Sequence, residues 1–189
     1  MRDAVPRHSS DPLSSEGVPG AVVTIRPAGP GDGDEIQAYV RGLSFESRRQ
    51  RFLGALNELS AGQLHAMTHA PDRGHLTLLA ETIADGARVM IGEARYAIAP
   101  DGITCEIALS VADSWRRRTL GTRVLEDLAR RARELGARTL VGEVLRSNAA
   151  MTALARKAGF AIRSPIEDAR LIRITRDLSV DDVHTEPRP

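Results

Sequence analysis

Apolar residues recur along this chain with two alternating periods. The run Val22–Ile25 is short and β-prone. Beyond it, apolar side chains recur at the three- and four-residue spacing of one helix face. Three segments have this spacing: residues 32–43, 45–56 and 59–67. Ser44 precedes the second segment and Ser60 lies at the start of the third. Because serine is a favoured helix N-cap, we predict a strand followed by three helices.

The middle of the chain has the pattern of an antiparallel meander. Residues His75–Ile83 are apolar and β-prone, the Asp85–Gly86 pair is a hairpin turn signal, and Arg88–Ile98 forms the next strand. The turn residues Pro100–Gly102 then lead into a third strand at Ile103–Val111. We therefore predict three consecutive antiparallel strands.

The second half of the chain begins with a long amphipathic helix. Apolar residues form one stripe from Leu120 to Leu135, and Gly136 can end the helix in a left-handed cap. The remaining predicted elements are a strand at 139–145, a helix at 148–157, and a hairpin at 160–163 and 170–175. The pattern predicts an α/β fold with a mixed, mostly antiparallel central sheet of about six to seven strands flanked by helices.

Composition limits the possible partners. The 26 Lys and Arg residues nearly balance 25 Asp and Glu residues, and a net charge of +1 gives no general reason to expect nucleic acid or a membrane surface. Cys105 is the single cysteine, which excludes an internal disulfide and fits a reducing compartment. Because the overall charge is nearly balanced, any anion-binding site must come from a local cluster of basic residues.

The length of 189 residues and the 42% hydrophobic content are typical of one domain with a single core. Ser, Pro, Gly and charged residues dominate both ends, so we predict disordered tails at residues 1–20 and 179–189 around a domain at 21–178. No run approaches the roughly 18 apolar residues of a membrane span, and the first twenty residues lack a signal-peptide core. We expect a cytoplasmic protein.

A basic loop joins the third meander strand to the long helix. It contains Arg116, Arg117, Arg118, Thr119, Leu120, Gly121 and Thr122. A helix N-terminus presents unpaired N–H groups and a partial positive charge, and arginine can fork onto phosphate oxygens. The loop is a candidate phosphate site, and a solvated helix start is the alternative. The loop lacks the Gly-Lys-Ser/Thr of a P-loop and the glycine spacing of a dinucleotide fingerprint.

The stretch ITCEIALSVADSWRRRTLGTRVLEDLARRARELGARTLVGEVLRSNAAMTALARKAGF resembles the acetyl-CoA-binding core of the GNAT N-acetyltransferases. The segments GLSFESRRQRFLGALNELS and VGEVLRSN are similar, more particularly, to the catalytic domain of bacterial Pat-type protein lysine acetyltransferases. The resemblance spans about residues 22–178. Arg117 and Thr119 depart from the pattern, because glycines are usual there. A β-carbon at either position narrows the pyrophosphate path and disfavours a left-handed backbone.

The resemblance implies the GNAT fold and transfer of an acetyl group from the cosubstrate acetyl-CoA to a primary amine. The acceptor would be a protein lysine, for example on an acyl-CoA synthetase. The sequence leaves both a monomer and a homodimer open. The loop from Arg116 to Thr122 would hold the pyrophosphate. The backbone of Leu109, Ser110 and Val111 would pair with the pantetheine arm. Asn148 would hydrogen-bond the cofactor, a role compatible with capping a helix.

Acetyl transfer to an amine also needs a base. A lysine amine has a solution pKa of about 10.4, so it must lose a proton before it attacks the thioester. Glu106 lies in an otherwise apolar strand, where partial burial would suit it to accept that proton; the resemblance implies the same role. A rim glutamate paired with an arginine is the alternative. Glu143, also expected to be buried, would orient a neighbouring group, and Glu46 could equally decorate a helix start.

Three further features shape the functional hypothesis. Many family members place a tyrosine acid in the helix before Gly-Phe, where this chain has Ala155. That difference and the altered loop leave a non-catalytic acyl-CoA sensor as the alternative, whereas Glu106 favours an enzyme. His65 and His69 share a helix face without an evident third ligand, so no metal site is predicted. Cys105 is expected to pack in the core and Trp115 to pack the loop against it.

Overall fold

The computed structural model describes residues 22–69, 74–164 and 168–179, and apart from Ser179 the predicted tails lie outside these ranges. Within them the chain forms seven strands and five α-helices. The strands are β1 Thr24–Pro27, β2 His75–Ala84, β3 Ala87–Ile98, β4 Thr104–Val111, β5 Thr139–Leu145, β6 Ala161–Arg163 and β7 Leu171–Asp177. The helices are α1 Gly33–Gly42, α2 Phe45–Phe52, α3 Ala61–Thr68, α4 Leu120–Glu134 and α5 Ala149–Lys157.

The strands form one sheet in the order β1-β2-β3-β4-β5-β7-β6. Only the pairing of β4 with β5 is parallel within the described sheet, and the other neighbours are antiparallel. This arrangement confirms the predicted α/β class with a mostly antiparallel sheet. The helix at α4 lies where the apolar stripe predicts it, and Gly136 follows it with a φ of 90°.

Strands β4 and β5 pair over only three positions, from Thr104 opposite Thr139 to Glu106 opposite Val141. Beyond these pairs β4 continues along β3, and β5 continues along β7. The two central strands therefore separate after Glu106, and a wedge opens between them.

The backbone of β4 presents alternate residues to this wedge. The Ala112 N–H donates to the Ile91 carbonyl at 2.9 Å, which shows that the even-numbered residues of β4 bond to β3. In an antiparallel ladder the backbone N–H and C=O groups of successive residues point to opposite sides of the strand. The N–H and C=O groups of Ile107, Leu109 and Val111 therefore point towards the wedge.

Helices cover the two faces of the sheet unequally. Helices α4 and α5 pack on one face around a core that includes Leu125, Leu128 and Leu140. On the other face, α1 and α3 form a second core with β2 around Ile36 and Leu79. Each fully buried side chain of this size contributes about 1.5–3 kcal/mol. The site lies at the border of these layers.

The first strand and the second helix differ from the sequence prediction for reasons that lie in the backbone. The first strand lies two residues later and includes Pro27, which an edge strand tolerates because its N–H need not join the ladder. Helix α2 ends at Phe52 rather than continuing to Leu56, because Leu53 adopts a left-handed φ of 57°. In the described parts of the chain, no helix is long and apolar enough to cross a bilayer.

Candidate active site

A cleft occupies the wedge between β4 and β5. Its lining comes from α2, both strands, β7 and the start of α5: Gln50, Arg51, Ile107, Ala108, Leu109, Gly142, Glu143, Val144, Asn148, Met151 and Ile174. The apex is narrow, since a β-carbon at Gly142 would lie 3.2 Å from the Ile107 carbonyl oxygen. The cleft thus brings together Leu109, Glu143 and Asn148 from the sequence-predicted set.

Glu106 lies at the closed end of the wedge, in the last pair before the two strands separate, and its side chain is exposed. The expected partial burial is therefore wrong. Its neighbour Cys105 points to the opposite face and is fully buried. The face of Glu106 is covered at Ser110, four residues further along β4, but the cover does not reach Glu106. Its carboxylate is therefore accessible from solvent.

Glu143 is also exposed, which corrects the expectation that it is buried. It lies opposite Arg173 of β7 and, by the register of β4 with β5 and strand alternation, on the same face as Glu106. The two predicted catalytic carboxylates thus share one open face beside the cleft.

The buried carboxylate of this region is Glu93 on β3, which the sequence analysis missed. Its side chain is 1% exposed and forms a bidentate ion pair with Arg51 of α2, with Nε–Oε1 and Nη2–Oε2 distances of 2.5 and 2.9 Å. An isolated acid in an apolar strand was the available signal, as it was for Glu106. Its arginine partner lies 42 positions away, however, and only the fold brings the two together.

Two hydroxyl groups extend this ion pair into a buried chain. The Ser110 hydroxyl donates to Glu93 Oε1 at 2.7 Å, and the Tyr39 hydroxyl lies 3.0 Å from Ser110 Oγ, so Tyr39 donates to Ser110. Burial and the Glu93 charge raise the pKa of Tyr39 and keep its hydroxyl protonated. The chain connects α1, α2, β3 and β4 and stabilises one wall of the cleft.

The basic loop keeps the left-handed backbone for which glycine is favoured. Arg117 and Thr119 have φ angles of 62° and 64°. A non-glycine residue in this region costs roughly 1–2 kcal/mol, and a β-branched residue is especially unusual there. The loop thus adopts this turn despite both substitutions.

The start of α4 supplies donors for an anion. Its first helical hydrogen bond runs from the Arg123 N–H to the Thr119 carbonyl at 3.0 Å. The N–H groups of Leu120, Gly121 and Thr122 therefore have no acceptor within the helix. Together with the positive end of the helix dipole, these donors can bind an anionic group such as a phosphate.

Gly121 also has a packing role. A β-carbon at this position would lie 3.1 Å from Leu154 Cδ2 of α5. The absence of a side chain therefore lets α4 and α5 approach closely beside the end of β4.

The three consecutive arginines have different surroundings. The Arg118 guanidinium lies 5.5 Å above the ring of Trp115, which packs against the main core as predicted. Arg116 instead donates to Ser47 Oγ at 2.8 Å and approaches Asp113 at 3.5 Å, so it connects the loop to α2. Arg117 is exposed.

Asp113 joins the loop to the start of α2. It accepts hydrogen bonds from the Ser44 N–H at 2.9 Å and the Ser47 hydroxyl at 2.5 Å. Burial alone would raise the pKa of Asp113, but these hydrogen bonds and Arg116 outweigh it and lower the pKa below 3.8. Ser44 is the predicted N-cap of α2, and its Oγ accepts from the Ser47 N–H.

Asn148 has the predicted capping role. Its Oδ1 accepts from the Met151 N–H at 3.0 Å at the start of α5, and the residue lines the cleft. An amide has donors beyond the acceptor used by the cap. Capping and contact with a ligand are therefore compatible in this geometry.

Three other residues considered in the sequence analysis, Cys105, Glu46 and Ala155, have surroundings that indicate structural roles. Burial raises the pKa of Cys105 to about 12, so its thiol is not a ready nucleophile. Glu46 is exposed and pairs with Arg49 at 2.9 Å in the first turns of α2. Ala155 is fully buried in the core.

The His65 and His69 rings stack with centroids 4.2 Å apart. Across residues 22–69, 74–164 and 168–179, no three His, Cys, Asp or Glu side chains are grouped as metal ligands.

Comparisons with known proteins identify the family. The profile of the acetyltransferase (GNAT) family matches residues 40–160. Among curated proteins, the chain is 28% identical to acetyltransferase PA5475 of Pseudomonas aeruginosa over 154 residues, covering 81% of this chain and 83% of that protein.

Solved structures agree with this match. The GNAT domain of S. lividans PAT is 25% identical with a TM-score of 0.73, covering 85% of this chain and 99% of that one. The acetyltransferase yncA of Salmonella typhimurium, solved with acetyl-CoA, shares the fold at 21% identity and a TM-score of 0.65, covering 88% and 98%. The protein therefore belongs to the GNAT family and is an acetyl-CoA-dependent N-acetyltransferase.

Proposed function

We propose that this enzyme acetylates the side-chain amine of a protein lysine and that Glu106 is the general base. The observation that supports this assignment best is the position of Glu106 in the last register pair before the wedge opens. Its exposed carboxylate faces the side from which an acceptor can approach.

The reaction follows from this arrangement. Glu106 accepts a proton from the lysine ammonium, directly or through water, and the neutral nitrogen attacks the thioester carbonyl carbon. The carbonyl π electrons move to oxygen and then return as the carbon–sulfur bond breaks. The coenzyme A thiolate departs, the nitrogen loses its second proton to this thiolate through water, and the acetyl group remains on nitrogen as an amide. Glu143 orients the acceptor from the neighbouring strand.

The cofactor would lie along the wedge. The pantetheine amides would pair with the backbone N–H and C=O groups of Leu109 and Val111, which point towards the wedge on either side of Ser110. The pyrophosphate would bind the loop from Arg116 to Thr122 and the start of α4. Asn148 would contact the cofactor from the cap of α5.

The acceptor would bind at the open face that Glu106 and Glu143 share, and the shape of this face supports a protein substrate over a small amine. Glu143, Arg173 and Arg163 lie next to one another in the register of β5, β7 and β6, and all three are exposed. An open, charged strip beside Glu106 suits a lysine presented on the surface of another protein.

The single cysteine supports a reducing, cytoplasmic setting.

The test is acetyl-CoA turnover, measured by thiol release and by acetylation of the acceptor. The panel contains acyl-CoA synthetases, lysine peptides and small amines. We expect lysine acetylation of at least one protein, whereas turnover with small amines alone would overturn the substrate assignment. Calorimetric binding of acetyl-CoA without turnover on any acceptor would favour the sensor alternative.

A further inference from the structure

Arg51 is a cation at the wall of the cleft that the reaction described above does not use. Its side chain is 9% exposed, and it reaches from α2 over the sheet to the fully buried Glu93. Removing a charge from water is costly, so a buried pair in this position needs a reason beyond packing.

The pairing leaves one nitrogen of Arg51 available. Nε and Nη2 donate to the two oxygens of Glu93. Nη1 makes no hydrogen bond within the described residues. Every fully buried side-chain nitrogen or oxygen atom in those residues has a hydrogen-bond partner, so Nη1 is not fully buried and keeps accessible surface. Arg51 lines the cleft with Ala108 and Leu109, so the guanidinium borders the space between β4 and β5.

We propose that Arg51 is a further catalytic residue, whose Nη1 donates a hydrogen bond to the carbonyl oxygen of the acyl group. When the amine attacks, the carbon–nitrogen bond forms and the π electron pair moves to this oxygen. The negative charge that develops there strengthens the bond from Arg51. When the carbonyl re-forms, the pair returns and the carbon–sulfur bond breaks. Glu106 has already taken the first proton of the ammonium group, the second proton of the attacking nitrogen goes to the departing thiolate through water, and Arg51 keeps its own protons.

Glu93 has a defined part in this arrangement. Its bidentate contact holds the guanidinium plane in one orientation, and Ser110 holds Glu93 in turn. A donor fixed before the reaction stabilises developing charge without having to reorganise. Glu93 also neutralises Arg51 in the resting enzyme. Glu93 is therefore a positioning residue, and the two members of the pair have effects of opposite sign on an anionic ligand.

Two stable analogues of acetyl-CoA test the proposal without an acceptor. S-carboxymethyl-CoA carries a carboxylate near the acyl position, and S-carbamidomethyl-CoA is its neutral isostere. Calorimetry measures the ratio of their affinities for wild type and variants. The double variant Arg51→Met/Glu93→Gln removes both charges and leaves no unpaired buried ion. We expect the preference for the carboxylate to fall roughly tenfold or more in this variant.

The variant Glu93→Gln separates catalysis from structure. It keeps Arg51 and removes the neutralising charge, so the preference for the carboxylate should stay or rise. Arg51→Lys supplies a second test if the double variant does not fold, because lysine keeps the charge but lacks the planar fork; its preference should fall. An unchanged preference in the folded Arg51 variants, or an equal fall in Glu93→Gln, would overturn the proposal.

Discussion

Glu106 and Val141 form the last register pair of β4 and β5, and the two strands separate directly beyond them. The variant Glu106→Gln keeps the size of the side chain and removes the proton acceptor. We expect turnover to fall about a hundredfold or more, while calorimetry shows little change in acetyl-CoA affinity. The loss should shrink as the pH rises, because a larger fraction of the amine is then already neutral.

Glu143→Gln is the matched control, because Glu143 is exposed on the same face and does not occupy that register pair. It should lose less activity and keep the wild-type pH profile. Near-full turnover of Glu106→Gln at pH 7, where chemistry limits the rate, would leave Glu106 a structural role only.

Arg118 and Arg123 differ in their relation to the proposed pyrophosphate site. Arg118 lies in the loop over Trp115, whereas Arg123 lies a turn inside α4 with Nη2 3.4 Å from the Val23 carbonyl. Arg118→Ala should weaken acetyl-CoA binding about tenfold or more, since a charge-assisted contact contributes about 1.5–3 kcal/mol. Arg123→Ala should change affinity little. Equal, small effects in calorimetry would support the solvated helix start.

Arg117→Gly should be tolerated or should improve the loop. Its φ of 62° favours glycine, and the relief of about 1 kcal/mol is partly offset by the greater chain entropy of glycine in the unfolded state. We expect an unchanged or slightly higher thermal midpoint and equal or tighter acetyl-CoA binding. A large loss of affinity would instead assign a phosphate contact to Arg117.

Gly136→Ala is the reverse test of backbone strain, because it adds a side chain at a left-handed position that glycine occupies. Gly136 has a φ of 90°, and no atom lies within 4 Å of an added β-carbon, so only the backbone conformation opposes alanine. Thermal unfolding should show a loss of about 1 kcal/mol, and acetyl-CoA affinity should not change.

Asn148 allows capping and cofactor binding to be separated. Asn148→Ser keeps an N-cap oxygen and should retain the stability of the wild type within a few tenths of a kcal/mol, but it should bind acetyl-CoA more weakly. Asn148→Ala should lose both the contact and about 1 kcal/mol of stability. Full acetyl-CoA affinity in the serine variant would show that Asn148 only caps α5.

Asp113→Asn should reveal a pH-dependent contribution to stability. The pKa of Asp113 is lowered from 3.8, so its contribution is fully present above that value and is lost as the pH falls through the folded-state pKa. At pH 7 the variant should be less stable by about 1 kcal/mol, allowing for solvent screening. The difference between the two thermal midpoints should shrink below about pH 4. A constant difference down to pH 3 would contradict this account.

Local sequence patterns determined most of the secondary structure. The stripe of α4, the caps at Ser44 and Ser60, and Gly136 after α4 are found where the pattern predicts them. Their signals lie within a few residues of the structure they specify, because helix periodicity and capping are short-range effects. The motif around the basic loop was likewise contiguous, so the family and its cosubstrate could be inferred from the chain alone.

The environment of each carboxylate was decided only by the tertiary structure. Glu106 and Glu93 both interrupt apolar strands, yet Glu106 is exposed and Glu93 is buried against Arg51. Arg116, assigned by motif to the cofactor, contacts Ser47, which lies 69 positions away. Strand periodicity determines which face a side chain points to, but not which helix covers that face. Burial and ion pairing depend on this packing between distant segments, and a pattern read along the chain does not contain it.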